Sequence, residues 1–412
     1  MKQVPYLLNV LSSLIAPPAG THKSNYYKNL IYVVMLGCSQ PLVSSSAVII
    51  LKQVLHGSNQ QVALIQSGSM AGLLLSLFYT RYLATGIAQK DYALPQIFAW
   101  FTLVRCAFIQ TSFVFSLLVF ITLVLFYISM PSLSILYQKI YSPKIRGVVV
   151  GKIKQWQVLS TLLLSWLLGY LVETSPSFYP PVYCLVGILG LLASLSFLTI
   201  ESSQENKEES ENISFHNYLN ILLQDKQFML FLLFQFLLGM ANIAGVAVFQ
   251  VYANDKNYLA LSPEKAALIV GVLPALAMFA SVRLWGAIFD RIDIINFRIL
   301  TSITMGLGFF IYPFYGIWGA TIGTIVWGFG RGGGQLAWSI GILDFAPEGQ
   351  AASYLSIHTF LTGIRGVIAP FLGIWLVDTY IIPAQLFWGV ATLIFISAIL
   401  TKSLVKVPGH RH

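Results

Sequence analysis

The chain consists of apolar stretches about twenty residues long, separated by short polar segments. A helix needs roughly 20 apolar residues to cross the hydrocarbon of a bilayer. The stretches lack the alternation of polar and apolar residues that is typical of membrane β-barrels. The pattern therefore predicts an all-α, polytopic membrane protein with twelve transmembrane helices. The predicted spans are 30–51, 62–80, 93–110, 113–137, 155–172, 180–200, 228–250, 266–289, 299–315, 317–343, 352–377 and 384–401.

Composition and charge agree with this prediction. Residues are 57% hydrophobic and only 9% charged, and the mean hydropathy is +0.75. A soluble chain carries about 25% charged residues, so a soluble protein of this length is excluded. With the amino terminus placed inside, the inner loops hold seventeen Lys and Arg residues and the outer loops hold three. Basic residues cluster in cytoplasmic loops. We therefore expect a plasma (inner) membrane protein with both termini cytoplasmic, and no nucleic-acid partner.

The longest polar segment, Glu201 to His216, is acidic and follows the sixth span. Such a composition cannot form a packed core and is typical of a flexible linker. The predicted organisation is a cytoplasmic segment at 1–28, a six-helix bundle at 29–200, a linker at 201–226, a second bundle at 227–401 and a tail at 402–412. Within the first segment, residues 4–16 are too short to span and are typical of an interfacial helix.

Similar residues recur in the two predicted bundles at nearly constant spacing. Pro143 and Pro347 are 204 residues apart, as are Gly169 and Gly373. Gly37 lies 202 residues before position 239, which is also glycine. Together these pairs indicate an internal duplication. In transporters, such repeats place a substrate site between them near the middle of the membrane.

The joint between the eighth and ninth spans reads Trp285-Gly286-Ala-Ile-Phe-Asp290-Arg291. Here the chain resembles the major facilitator superfamily, which carries a Gly-x-x-x-Asp-Arg joint between its second and third helices and often again at this position. Asp293 stands where that family has a further glycine, and the first-half segment, 81–90, lacks the Asp-Arg pair. The resemblance covers almost the whole chain. It implies two pseudo-symmetric six-helix bundles and a monomeric secondary transporter without a cofactor, which moves a small organic solute by rocker-switch alternating access.

The same joint supplies the predicted gate. Gly286 allows two helices to approach closely. Asp290 is expected near Arg146 at the amino end of the fifth helix, where the helix dipole favours an anion. With Arg291, this contact would close the cytoplasmic side while the cavity faces outward. The alternative is a solvated loop whose charges only set the topology.

Two arginines, Arg331 and Arg365, lie halfway along the tenth and eleventh predicted spans. A charged side chain at that depth costs at least about 2.5–3.5 kcal/mol, so it should face a partner or a water-filled cavity. No Asp or Glu lies near the middle of any predicted span. Arg331 therefore binds an anionic substrate or is a hydrogen-bonded structural residue, and both interpretations stay open. For Arg365 the structural interpretation is favoured.

Further binding candidates are polar or aromatic residues on the helices expected to line the cavity: Gln40, Asn242, Gln335 and Trp338. Amides and aromatic rings suit an organic solute, but they also bridge packed helices. His358, on the eleventh span, is expected to be an ordinary hydrogen-bonding residue, and Arg298 is expected in the loop after the eighth span.

Two other functions were weighed against transport. A membrane-embedded transferase needs paired carboxylates or a His-Asp cluster at a membrane face, and the sequence shows neither, so no enzyme is predicted. A non-transporting receptor or assembly factor built on a carrier fold stays a minority alternative, because the first-half joint is so weak. The expected partners are a small-molecule substrate and the lipid bilayer.

Overall fold

The computed structural model describes residues 16–201, 221, 223–340, 345–347 and 350–406, and these residues form helices and connections with no β-strand. Nearly all of the predicted interfacial helix and most of the linker lie outside the described residues. The long helices are α1 Lys23–Val54, α2 Asn59–Leu83, α3 Ala88–Cys106, α4 Ser112–Ile140, α5 Pro143–Thr174, α6 Pro176–Phe197, α7 Lys226–Asn254, α8 Pro263–Phe289, α9 Ile294–Ile311, α10 Ile317–Ile340, α11 Ala351–Thr379 and α12 Pro383–Leu404.

Each of the twelve predicted spans corresponds to one of these helices. Ten of them are long and apolar enough to cross a membrane. The other two, α3 and α10, occupy the third and tenth positions in the chain. Three charged residues, Lys90, Asp91 and Arg105, lie on α3, whereas α10 contains seven glycines. These residues lower the apolar character of a helix without preventing it from forming within a bundle.

Most helices begin some residues earlier than hydropathy predicts, and the sequence explains the early starts of α5 and α9. Pro143 occupies the first turn of α5, a position that favours helix initiation, so this helix starts well before residue 155. The Asp293 side chain accepts a hydrogen bond from the Asn296 N–H and caps α9, which starts at Ile294 instead of residue 299. As a result Lys154 and Arg298, both expected in loops, are parts of helices.

The helices form two bundles with the same internal arrangement. In the first bundle α1 packs against α5 and α6, α2 against α4, and α3 against α4 and α6. In the second, α7 packs against α11 and α12, α8 against α10, and α9 against α10 and α12. Adding six to each helix number converts the first set into the second. Between the bundles, α2 packs against α11 and α5 against α8. The molecule therefore consists of two pseudo-symmetric six-helix bundles.

The glycines of α10 allow this helix to lie close to its neighbours. A Cβ atom added at Gly330 would be 2.8 Å from the backbone nitrogen of Met305 on α9. One added at Gly332 would be 3.0 Å from the carbonyl oxygen of Met278 on α8. Close backbone approach at small residues is the usual way in which helices associate in membranes.

We expect Gly330→Ala to lower the thermal unfolding temperature, because its Cβ meets backbone atoms that cannot rotate away. Gly334→Ala is the matched control, since its Cβ would lie 3.6 Å from the flexible end of Met305. Alanine favours a helix over glycine by about 1 kcal/mol, so this control should be neutral or stabilising. Differential scanning fluorimetry of the two purified variants measures the difference, and equal unfolding temperatures would contradict the prediction.

Candidate functional site

The bundles are joined by polar contacts on one side of the molecule. We call the side where α1 begins and α12 ends the termini face, and the other side the opposite face. At the opposite face, Lys52 Nζ lies 2.7 Å from Asp255 Oδ2 and also donates to Asn59 Oδ1 at 2.7 Å. Asn59 Nδ2 in turn donates to Asp378 Oδ1 at 2.7 Å. These contacts connect α1 and α2 of the first bundle with α7 and α11 of the second.

The charge on Asp255 is stabilised by this arrangement. Burial alone would raise the pKa of this carboxyl group. The hydrogen bonds from Lys52 and from the Asn257 N–H, with the positive charges of Lys52 and Lys256, lower its pKa below the ordinary value of 3.8. The Lys52–Asp255 ion pair therefore persists throughout the neutral pH range.

The bundles touch at the opposite face but separate toward the termini face, as the interface between α5 and α8 shows. Near the opposite face it is packed: a Cβ added at Gly169 would be 2.6 Å from the Ala267 Cβ atom. Near the termini face, a Cβ added at Gly147 or Gly151 of α5, or at Gly286 of α8, would meet nothing within 4 Å. The two helices therefore diverge toward the termini face.

The interface between α2 and α11 is closed from the opposite face to the middle of both helices. At mid-helix, a Cβ added at Gly363 would lie 2.9 Å from the Leu74 Cβ atom, and Gly366 lies against Met70. The two interfaces together define a cavity between the bundles that is closed at the opposite face and open at the termini face.

Arg331 of α10 lines this cavity. Its side chain is exposed although it lies near the middle of α10, which requires an open space beside this part of the helix. The guanidinium group lies 5.1 Å from the centre of the Trp327 ring and interacts electrostatically with Tyr127 of α4, in the other bundle. Gln335, one turn further along α10, is also exposed. This surface combines a cation with an amide, which together can bind an organic anion, and the Trp327 ring supports the cation from its buried side.

Lys154 of α5 brings a second cation to the cavity from the first bundle. It is exposed, shares the helix face on which Gly147 and Gly151 lie, and its Nζ donates to Gln157 Oε1 at 2.8 Å. Sequence analysis missed this residue because the hydropathy window assigned it to a loop. The signal that identifies it is Pro143 at the first turn of the helix, which extends α5 past Lys154.

The other four predicted binding residues lie in different surroundings. Asn242 Oδ1 accepts a hydrogen bond from Trp327 Nε1 at 2.8 Å and so orients the ring beside Arg331. Half-buried Gln40 lies at a break in α1, where its carbonyl oxygen accepts a hydrogen bond from Ser44. Arg365 is only 8% exposed and donates to the Gln235 carbonyl oxygen inside the second bundle. Trp338 is half-buried and donates to Thr362 at 3.5 Å.

The predicted gate residues are apart in this conformation. Asp290 and Arg291 are exposed, and Arg146 donates to the carbonyl oxygens of Gln138 and Tyr141 within its own bundle at 3.3 Å. The divergence of α5 and α8 at the termini face explains this separation. A contact between Asp290 and the start of α5 requires the opposite conformation, in which this face is closed, and stays a prediction.

The carboxylates of the described chain lie away from the cavity. Each described Asp and Glu is in the first or last turns of a helix or in a connection. Among the described residues the single ion pair is Lys52–Asp255, at the opposite face. The cavity therefore carries positive charge from Arg331 near mid-membrane, and from Lys154 nearer the termini face, without a protein counter-charge among those residues.

Two pseudo-symmetric helical bundles around a cavity open at one face define a multi-pass membrane transporter. The sequence model of the Major Facilitator Superfamily matches residues 30–370. The chain belongs to this family.

Solved structures of transporters share this fold. A single-residue mutant of the nucleoside transporter NupG superposes with a TM-score of 0.75 at 13% identity, over 93% of this chain and all of that one. A D-xylose-proton symporter gives 0.70 at 13% identity, over 93% and 98%. The inward open xylose transporter XylE from E. coli gives 0.67 at 11% identity, over 94% and 97%. No curated protein matches by sequence. At these identities the likeness concerns the fold alone.

Proposed function

We propose that this protein is a secondary transporter for a small organic anion, which binds between Arg331 and Lys154 in the cavity open at the termini face. One observation carries the proposal: Arg331 lies near the middle of α10, is exposed, and has no carboxylate partner in the described part of the chain. An uncompensated charge at this depth is unfavourable. A bound anion would compensate it.

The two cations belong to different bundles, and this arrangement couples binding to movement. Lys154 lies on α5 and Arg331 on α10. An anion that contacts both attracts the two bundles toward each other on the side that is now open. Because a ligand shifts a conformational equilibrium only by binding one state more strongly, contacts from both bundles favour closure of the termini face around the solute. Gln335 offers hydrogen bonding to the organic part, whereas the buried Trp327 ring supports the Arg331 guanidinium group from within the second bundle.

We propose that the termini face is cytoplasmic and that the protein resides in the plasma (inner) membrane. The support is the excess of basic residues in the loops of this face. The conformation with the termini face open would then be the one that exchanges solute with the cytoplasm, and rocking of the bundles would expose the same site to the outside.

The proposal is tested by a thermal-shift screen of the purified full-length protein, followed by flux measurements in proteoliposomes. The screen compares mono- and dicarboxylates and organic phosphates with neutral sugars and nucleosides. We expect an organic anion to stabilise the protein, and Arg331→Gln to weaken its binding about 10- to 100-fold, because hydrogen bonds to a charged group contribute about 1.5–3 kcal/mol.

Arg105→Gln is the matched control, because Arg105 is an exposed arginine near the end of α3 that contacts the Phe101 ring. This variant should bind and transport like the wild type. A neutral solute that is transported equally well by the wild type and Arg331→Gln would overturn the anionic assignment. Tight binding without flux would instead favour a receptor.

A further inference from the structure

Three basic side chains lie together inside the second bundle, outside the central cavity. Arg298 of α9 is 5% exposed, and His358 and Arg365 of α11 are 1% and 8% exposed. Each has a buried nitrogen without a hydrogen-bond partner: Arg298 Nε, His358 Nε2 and Arg365 Nε. Buried polar atoms are nearly always hydrogen-bonded, so three unpartnered nitrogens in one place need an explanation.

The three groups are close enough to act on one another. The Arg298 and Arg365 guanidinium groups lie within electrostatic range of each other, and the His358 ring lies within range of both. His358 and Arg365 are seven residues apart on α11 and therefore share one face of that helix. On the α7 side, Gly239 lies against the Arg365 guanidinium group. On the α10 side, the Trp338 ring lies 5.9 Å from the His358 ring. The cluster is thus enclosed by four helices.

The positive charge of this cluster is not balanced by any carboxylate in the described ranges, where the sole ion pair is at the opposite face. Arginine remains protonated in proteins, so it cannot relieve the repulsion by losing its proton. Two buried guanidinium groups without a counter-charge are strongly unfavourable inside a membrane bundle.

The first bundle shows that helix packing at this place does not itself need the charge. Gln96 of α3 precedes Arg298 by 202 residues, the offset that also relates Gly37 to Gly239. Gln96 is fully buried and fully bonded: Oε1 accepts from Tyr32 at 2.7 Å, and Nε2 donates to Ser129 Oγ at 2.7 Å. A neutral, satisfied network therefore fills the matching interior of the first bundle, whereas the second places two arginines there whose Nε atoms lack a partner.

We propose that Arg298, His358 and Arg365 form a binding site for a small inorganic anion of the chloride type within the second bundle. Charge and unpartnered donors favour an anion. The low exposure of all three side chains restricts the ligand to a small one, because an organic solute would require the bundle to open. The site is separate from Arg331, so it does not depend on the identity of the transported solute.

The test uses the purified full-length protein in detergent and measures thermal unfolding in sodium chloride against sodium gluconate at equal ionic strength and pH. It is made on the wild type and on Arg331→Gln, because gluconate is itself an organic anion and should bind the central cavity of this variant only weakly. A ligand that binds only the folded state stabilises it by an amount that increases with its concentration. We expect chloride to raise the unfolding temperature of the wild type by about 3 °C or more as the site saturates. Arg298→Gln and Arg365→Gln should lose this dependence on chloride, whereas Arg331→Gln should retain it.

A second measurement needs only variants expected to fold. Bromide and iodide quench tryptophan fluorescence, and the Trp338 ring lies beside His358. Wild type should show a saturable quenching component that Trp338→Phe lacks. Equal unfolding temperatures in chloride and gluconate would overturn the proposal. So would loss of the chloride effect in Arg331→Gln alone, which would place the ion in the central cavity.

Discussion

A disulfide between positions 169 and 267 is expected to abolish transport, and a reductant is expected to restore it. Gly169 is on α5 and Ala267 on α8, so the bond joins the two bundles at the opposite face. The Cβ atoms would be 2.6 Å apart, and an outward shift of about 1 Å gives the spacing that disulfides adopt. Alternating access requires this interface to open. The double variant Gly169→Cys, Ala267→Cys, made after Cys38, Cys106 and Cys184 are replaced by serine, is assayed for flux in proteoliposomes.

The matched control crosslinks two helices of a single bundle. Gly373 corresponds to Gly169 in the second half of the chain, and a Cβ added there would lie 2.9 Å from the Ala244 Cβ atom of α7. Gly373→Cys with Ala244→Cys should form a disulfide equally well and leave transport unchanged, because the bundles move as units. Continued transport by the oxidised 169–267 variant would show that this interface does not open.

Much of the fold could be predicted from the sequence, because the thickness of a bilayer imposes one length on every spanning helix. Hydropathy located twelve segments but placed the starts of α5 and α9 too late. In both cases polar residues continue a helix that starts earlier, at Pro143 in the first turn of α5 and at the capping residue Asp293 of α9. Hydropathy averages over a window and does not register such caps.

The candidate site was only partly predictable, because a sequence gives the depth of a residue more readily than its surroundings. The mid-span position of Arg331 predicted a residue facing water or a partner, and its side chain does face the cavity. Arg365 has the same depth but points into its own bundle, against the Gln235 carbonyl oxygen. Whether a given face of a helix is directed toward the cavity or into its own bundle depends on contacts between helices far apart in the chain. No local sequence pattern encodes these contacts.

Neutralising Asp255 is expected to shift the protein toward the conformation with the opposite face open. The Lys52–Asp255 pair joins α1 to the end of α7, and its side chains are each only 10% exposed. A hydrogen bond between charged groups contributes about 1.5–3 kcal/mol, so Asp255→Asn should change the ratio of the two conformations about 10- to 100-fold. The readout is a cysteine at Ser45, whose hydroxyl oxygen lies 2.9 Å from a Cβ added at Gly271 in the closed interface.

In a background without native cysteines, Ser45→Cys should react slowly with a membrane-impermeant thiol reagent added at the opposite face, and faster once Asp255→Asn is added. Lys256→Gln is the control, because this neighbouring charge does not bridge the bundles. Exchanging the charges, as Lys52→Asp with Asp255→Lys, should restore protection.

Because the pKa of Asp255 is lowered, the wild-type contact is fully present above pH 3.8 and is lost only as the pH falls through that lowered value. Protection should therefore be constant between pH 5 and pH 8, about the range in which histidine changes charge. A change within that range would assign control of this face to a histidine instead.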